Sequence, residues 1–122
     1  MKPNFGCPVR ATLNVLAGKW KVSIVWFLSY GPLRFSAIRK LLPGVSEKVL
    51  TAQLRELQGD GVLKRLATSH VPPRVTYILT PAGKQLVPVM VAMCGWGTKH
   101  LGVPPNAEFL RFERRAARSA PA

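Results

Sequence analysis

A mainly α fold with one β-hairpin, in the order α-α-α-α-β-β-α, is what this sequence predicts, and three observations predict it. Four segments with apolar residues at helical spacing occupy positions 8–58, parted by glycine and proline. Two short segments rich in Val, Leu and Thr then flank "HVPP". A long apolar stretch of helical character follows Thr80-Pro81.

The first helix is "PVRATLNVLAG", with Val9, Leu13 and Leu16 at helical spacing, Pro8 suited to the first turn and Gly18 to the end. In "KWKVSIVWFLS", Trp20, Ile24 and Phe27 share a stripe while Val25, Trp26 and Leu28 point elsewhere. A helix apolar on most sides belongs at the centre of a fold. "YGPL" breaks the chain. The third helix, "RFSAIRKLL", turns Phe35, Ile38, Leu41 and Leu42 inward and Ser36, Arg39 and Lys40 outward, and Pro43-Gly44 stops it. Ser46 is a good N-cap and Glu47 suits the positive end of the helix dipole, so a fourth helix runs from about Glu47 to Gln58, ended by "GDG".

"VLKRLATS" and "RVTYILT" read as strands, with Val75, Tyr77 and Leu79 alternating against Thr76 and Ile78. The prolines of "HVPP" cannot donate ladder hydrogen bonds and belong in the connecting loop. Thr80-Pro81 opens a last helix through "AGKQLVPVMVAMCGWGTKHL", which Pro88 should bend or split. The domain is expected to span 1–103. The tail, 104–122, is either frayed or carries a short helix around Phe109 and Phe112.

The fourth helix carries the functional argument. Leu50, Leu54 and Leu57 form one narrow stripe, and Lys48, Thr51, Ala52 and Arg55 lie about 100–200° round from it, leaving a polar and cationic strip for a partner. "PGVS" is the short glycine-containing turn of a helix-turn-helix, whose second helix enters the major groove of DNA. Ser46, Lys48, Thr51 and Arg55 would then reach base edges, Arg and Lys suiting guanine. With the hairpin as a wing, the expected architecture is a winged helix-turn-helix.

The net charge of +13 points to a polyanionic partner such as nucleic acid or an anionic membrane surface, the alternative being a protein that is merely basic. Residues 44–61 hold Lys48 and Arg55 against Glu47, Glu56 and Asp60, so the positive excess lies around the fourth helix rather than on it. Lys19, Lys21, Arg34, Arg39, Lys40, Lys64, Arg65, Arg74 and the tail arginines would neutralise phosphates. Ser36 stands beside them, and His70 and Arg74 mark the wing tip, His70 being either a reader or an ordinary loop histidine. Arg111 to Arg118 add nonspecific affinity or are simply solvated.

Other classes fit less well. The five acids make no evident pair, the two histidines have no nucleophile or metal partner at a recognisable spacing, and no phosphate-cradling glycine motif occurs. No catalysis, cofactor or metal is therefore expected. A basic RNA-binding or ribosome-associated protein would explain the charge, but single-strand readers present aromatic platforms, and Trp20, Trp26 and Phe27 fall in a central helix. The longest apolar run is too short for a membrane span, and "MKPNFGCPVR" lacks the apolar core of a secretory leader, so a cytoplasmic, nucleoid-associated location is expected. The effector, if a small molecule, is not specified.

"CPVRATLNVLAGKWKVSIVWFLSYGPLRFSAIRKLLPGVSEKVLTAQLRELQGDGVLKR", the wing "VPPRVTYILTPAG" and the helix ending "CGWG" resemble the HxlR-type family of winged helix-turn-helix transcriptional regulators, from about Cys7 to Gly97. The resemblance implies a prokaryotic regulator that binds a roughly palindromic, inverted-repeat operator in double-stranded DNA as a homodimer. It also implies an interface made by the first and last helices, here Val9, Leu13, Leu86, Val89, Met90, Met93 and Trp96. The last helix supports this independently, because its apolar residues spread wider than one core-facing stripe can use. A twin subunit would cover them, unless the second helix and hairpin do. Cys7 lies at a helix N-terminus near Lys2 and Arg10, surroundings that favour a reactive thiolate. Some regulators resembling this family sense oxidants or electrophiles with a cysteine in this position. The competing role is a small thiol packed at the interface, and Cys94 reads as apolar filler.

Overall fold

A computed structural model describes residues 6–105. Its order is α1 (Pro8–Val15), α2 (Lys21–Leu28), α3 (Phe35–Leu41), α4 (Glu47–Gly59), β1 (Leu63–Ala67), β2 (Val75–Leu79) and α5 (Pro81–Leu101). The expected element order is therefore present. The tail from residue 106 on, with Phe109, Phe112 and Arg111 to Arg118, lies outside the described residues, as does Lys2.

The chain divides into two compact units, Met1–Lys84 and Gln85–Ala122. In the first, α2 is the central helix: Ile24, Val25, Trp26 and Leu28 are buried. Around it the core draws Ile38 and Leu42 from the α3 region, Leu50, Leu54 and Leu57 from α4, and Leu63, Tyr77 and Leu79 from the hairpin. Leu41, expected inward, is 44% exposed. The third helix ends at Leu41, and Ile38 and Leu42, four residues apart, take the core-facing direction.

β1 and β2 are antiparallel, with Leu63 opposite Leu79 and Arg65 opposite Tyr77. The "YGPL" break hides a further rung. Leu33 pairs with Tyr77, each amide donating to the other's carbonyl at 3.1 and 2.8 Å. One residue of pairing has no periodicity, so the sequence does not signal it. The rung ties the start of α3 to the base of the wing.

The entry to α5 is bound to the exit of α4. Thr80 caps α5, its hydroxyl accepting from the Gly83 amide at 3.0 Å, while the same hydroxyl lies 2.5 Å from the Gly61 carbonyl. The Thr80 amide donates to the Val62 carbonyl at 3.0 Å. Gly61, at φ +77°, makes the turn that brings these groups together. Pro88 does not divide α5, which runs unbroken from Pro81 to Leu101.

In the second unit, Val89, Met93 and Trp96 of α5 are exposed, and Leu86 is half-buried. Met90, expected at a subunit interface, is already buried at 4% exposure and offers no surface to a twin. In the first unit, Val9 and Leu13 of α1 are 66% and 49% exposed.

Candidate nucleic-acid interface

The second helix of the pair is positioned from both ends. Between α3 and α4, Gly44 adopts φ +89°, a conformation that glycine takes without Cβ strain, and Val45 is buried beneath the turn. Ser46 then caps α4, its hydroxyl accepting from the Val49 amide at 3.1 Å. With one lone pair of its hydroxyl committed to the cap, Ser46 keeps its proton and a second lone pair for a base. Leu50, Leu54 and Leu57 are at most 2% exposed, so the apolar stripe faces inward as its spacing predicts. Lys48 and Arg55 are exposed and Thr51 is half-buried. These three stand at i, i+3 and i+7, along one outward strip.

That strip borders a cleft. Glu47, Thr51, Leu54, Arg55, Gln58 and Gly59 form its α4 wall, and Arg65, Val75 and Tyr77 of the hairpin, with Phe35 of α3, close the other side. A second cleft, between the start of α3 and the wing tip, brings Arg34, Ser36, His70 and Arg74 together. A third lies along the outer face of α3, with Ser36, Arg39, Lys40 and Glu47. Phe35 lines all three, so they are one corrugated surface rather than separate sites. Its charged walls are Arg34, Arg39, Lys40, Arg55, Arg65 and Arg74 against the single carboxylate of Glu47. Glu47 lies 3.9 Å from Arg39, both exposed, a separation that leaves the local field strongly positive.

The wing tip is braced at its neck. The Thr68 amide donates to the Arg74 carbonyl at 2.8 Å, and the Arg74 amide donates to the Thr68 hydroxyl at 3.0 Å. These bonds hold His70 and Arg74 opposite Arg34 across the second cleft.

Two cations differ from their expected places. Lys64 is exposed, but strand alternation puts it on the other face of the ribbon from Arg65, and Arg65 lines the cleft. The alternation was legible, but which face meets α4 was not. Lys21, expected on phosphate, is 2% exposed, and its ammonium pairs with Glu56 of α4. A buried, paired ammonium is not available to a nucleic-acid backbone. Lys19 keeps its place at the surface, 4.8 Å over the Trp20 ring.

Cys7 is the N-cap residue of α1, half-buried, with its carbonyl accepting from the Ala11 amide at 3.0 Å. Among the described residues, no group of three or more His, Cys, Asp or Glu could hold a metal. Nor is any described helix long and apolar enough to cross a membrane.

The arrangement is shared with known proteins. Residues 15–104 match the HxlR-like helix-turn-helix family. The HTH-type transcriptional regulator YdeP of Bacillus subtilis is 46% identical over 95 residues, covering 78% of this chain and 74% of that protein. YtcD, of the same organism and description, is 41% identical over 100 residues, covering 82% and 79%. Among solved structures, the redox regulator HypR in its reduced form superposes with a TM-score of 0.73 at 38% identity, covering 78% of this chain and 96% of that one.

Proposed function

Because the chain belongs to the HxlR-like helix-turn-helix family of transcriptional regulators, we propose that it binds an inverted-repeat operator in double-stranded DNA as a homodimer, working on the nucleoid in the cytoplasm. The observation that carries this is the split of α4 into two faces. Its leucines are buried, and Lys48, Thr51 and Arg55 lie on the opposite side, Thr51 and Arg55 lining a cleft whose far wall carries Arg65. In this reading α4 lies in the major groove, where Arg55 and Lys48 address guanine and Thr51 a thymine methyl or an acceptor. Arg34, Ser36, Arg39, Lys40 and Arg65 hold phosphates on either side, and Lys64 adds to the field from the outer face of the wing. His70 and Arg74 follow the backbone into the neighbouring minor groove.

The dimer is supported by the exposed apolar residues Val9 and Leu13 on α1 and Val89, Met93 and Trp96 on α5, with Leu86 partly covered. Two copies related by a two-fold axis would present two α4 helices to successive major grooves. Selection of bound fragments from random duplexes tests both ideas. The expected product is a pair of inverted half-sites centred about 10 base pairs apart or a multiple of this. Direct repeats, or equal retention of single-stranded DNA and structured RNA, would refute it. For the RNA-binding alternative, two of the described aromatics that a stacking platform would need, Trp26 and Tyr77, are buried.

Arg74→Ala should weaken cognate and random duplexes alike and flatten the dependence of log K on log salt by roughly one unit. A loss confined to the cognate sequence would make Arg74 a base reader instead.

HypR is described as a redox regulator. By extension, Cys7 is the thiol through which binding is controlled here. Oxidation by a two-electron oxidant such as diamide would form an S–S bond between its sulfur and that of a second thiol, the two S–H bonds breaking and both protons and two electrons passing to the oxidant, at the N-cap of α1. Diamide should change operator affinity several-fold in the wild type and leave Cys7→Ser unmoved. An equal response from Cys7→Ser would transfer the role elsewhere.

A further inference from the structure

Among the described residues, one cation is withdrawn from the surface, and it pairs with α4. Lys21 is 2% exposed at the first residue of α2, and its ammonium is paired with Glu56, whose side chain is 48% exposed. A second contact sits one turn earlier on the same flank. Gly18, at φ +115°, lies under the Gln53 carboxamide so closely that a Cβ there would be 3.0 Å from Oε1. At about 100° per residue, Gln53 and Glu56 fall on one side of the leucine stripe and Thr51 and Arg55 on the other. The corner between α1 and α2 thus grips α4 from the flank that the nucleic acid would not touch.

We infer that Lys21 is a positioning residue for groove reading, the ion pair of its buried ammonium with the part-exposed Glu56 fixing the rotation and axial placement of α4. The inference rests on the proposal that α4 is the reader. Leu50, Leu54 and Leu57 bind α4 to the core through contacts without direction, and such a stripe tolerates small rolls and slides. An ion pair at one point on the helix does not, because the buried ammonium loses its partner once Glu56 moves away. A roll about the helix axis moves Arg55 off a base edge by more than a bidentate hydrogen bond allows, while phosphate contacts from flexible side chains survive it. Lys21 therefore acts on specificity and not on general affinity.

The test compares Lys21→Met, Glu56→Gln and the double variant as full-length proteins, each confirmed folded by its thermal transition. Affinities are measured for the selected operator and for a random duplex over a range of salt. Each single variant should lower the cognate-to-random ratio about tenfold, the loss of one well-made base contact, and the double variant no further than either single. The salt slope of Lys21→Met should match the wild type, since a buried ammonium releases no counterion from DNA. A slope flatter by about one unit would make Lys21 a phosphate contact and overturn the inference. So would an unchanged ratio in folded Glu56→Gln, the variant that decides the matter should Lys21→Met not fold. A wild type without preference among duplexes would instead refute groove reading by α4.

Discussion

Arg55→Ala is expected to cost about 1–3 kcal/mol on the selected operator and to relax the preference at one base position, with a much smaller loss on random duplex. The guanidinium is exposed on α4, one turn beyond Thr51, at the edge of the cleft whose far wall holds Arg65. Its planar fork matches the two acceptors of a guanine edge, and no second base offers both in that geometry. Arg65→Ala, from the opposite wall, serves as the comparison: a phosphate contact lowers both affinities together. Competition binding with single-base operator variants reads the difference. Equal losses for Arg55→Ala on cognate and random DNA would mean that α4 lies along the backbone rather than in the groove.

Gly83→Ala should lower stability by about 3 kcal/mol, with a fall of ~10 °C or more in the thermal midpoint. A Cβ at Gly83 would stand 2.0 Å from the Val62 carbonyl oxygen and 3.3 Å from Leu79 Cδ2. Backbone on that side cannot yield cheaply. The Val62 carbonyl accepts from the Thr80 amide, and the Val62 amide donates to the Leu57 carbonyl at 2.9 Å. Moving Val62 would break the junction of α4, β1 and α5 at once. Differential scanning calorimetry measures the effect, and a midpoint within a few degrees of wild type would show that α5 can lift from β1 without penalty.

Much of this site was legible before any fold was known. The Ser46 cap, the Gly44 turn and the leucine spacing of α4 are local features, each with its own physical signature within a few residues. They predict a helix, its inward face and hence its outward one. The hairpin was legible for the same reason, with a period of two in its second strand after a proline pair that can donate no ladder bonds. Leu41 faces outward against its spacing because two leucines at the end of a short helix compete for one core direction, and the winner depends on where the helix stops. Arg65 and Lys64 could not be ranked because adjacent strand residues face opposite ways, and only docking on α4 chooses the face.

The sequence by itself determined the elements, their order, the buried stripe of α4 and the excess of positive charge, because propensity, capping and periodicity act over a few neighbouring residues. Tertiary structure alone decided which cations remain at the surface and which is withdrawn. Lys21 and Lys19 are two positions apart and chemically identical, yet one is sealed against Glu56 and the other stays over the Trp20 ring in reach of solvent. Burial of a charge is a property of the groups that packing brings to it, and those come from distant parts of the chain.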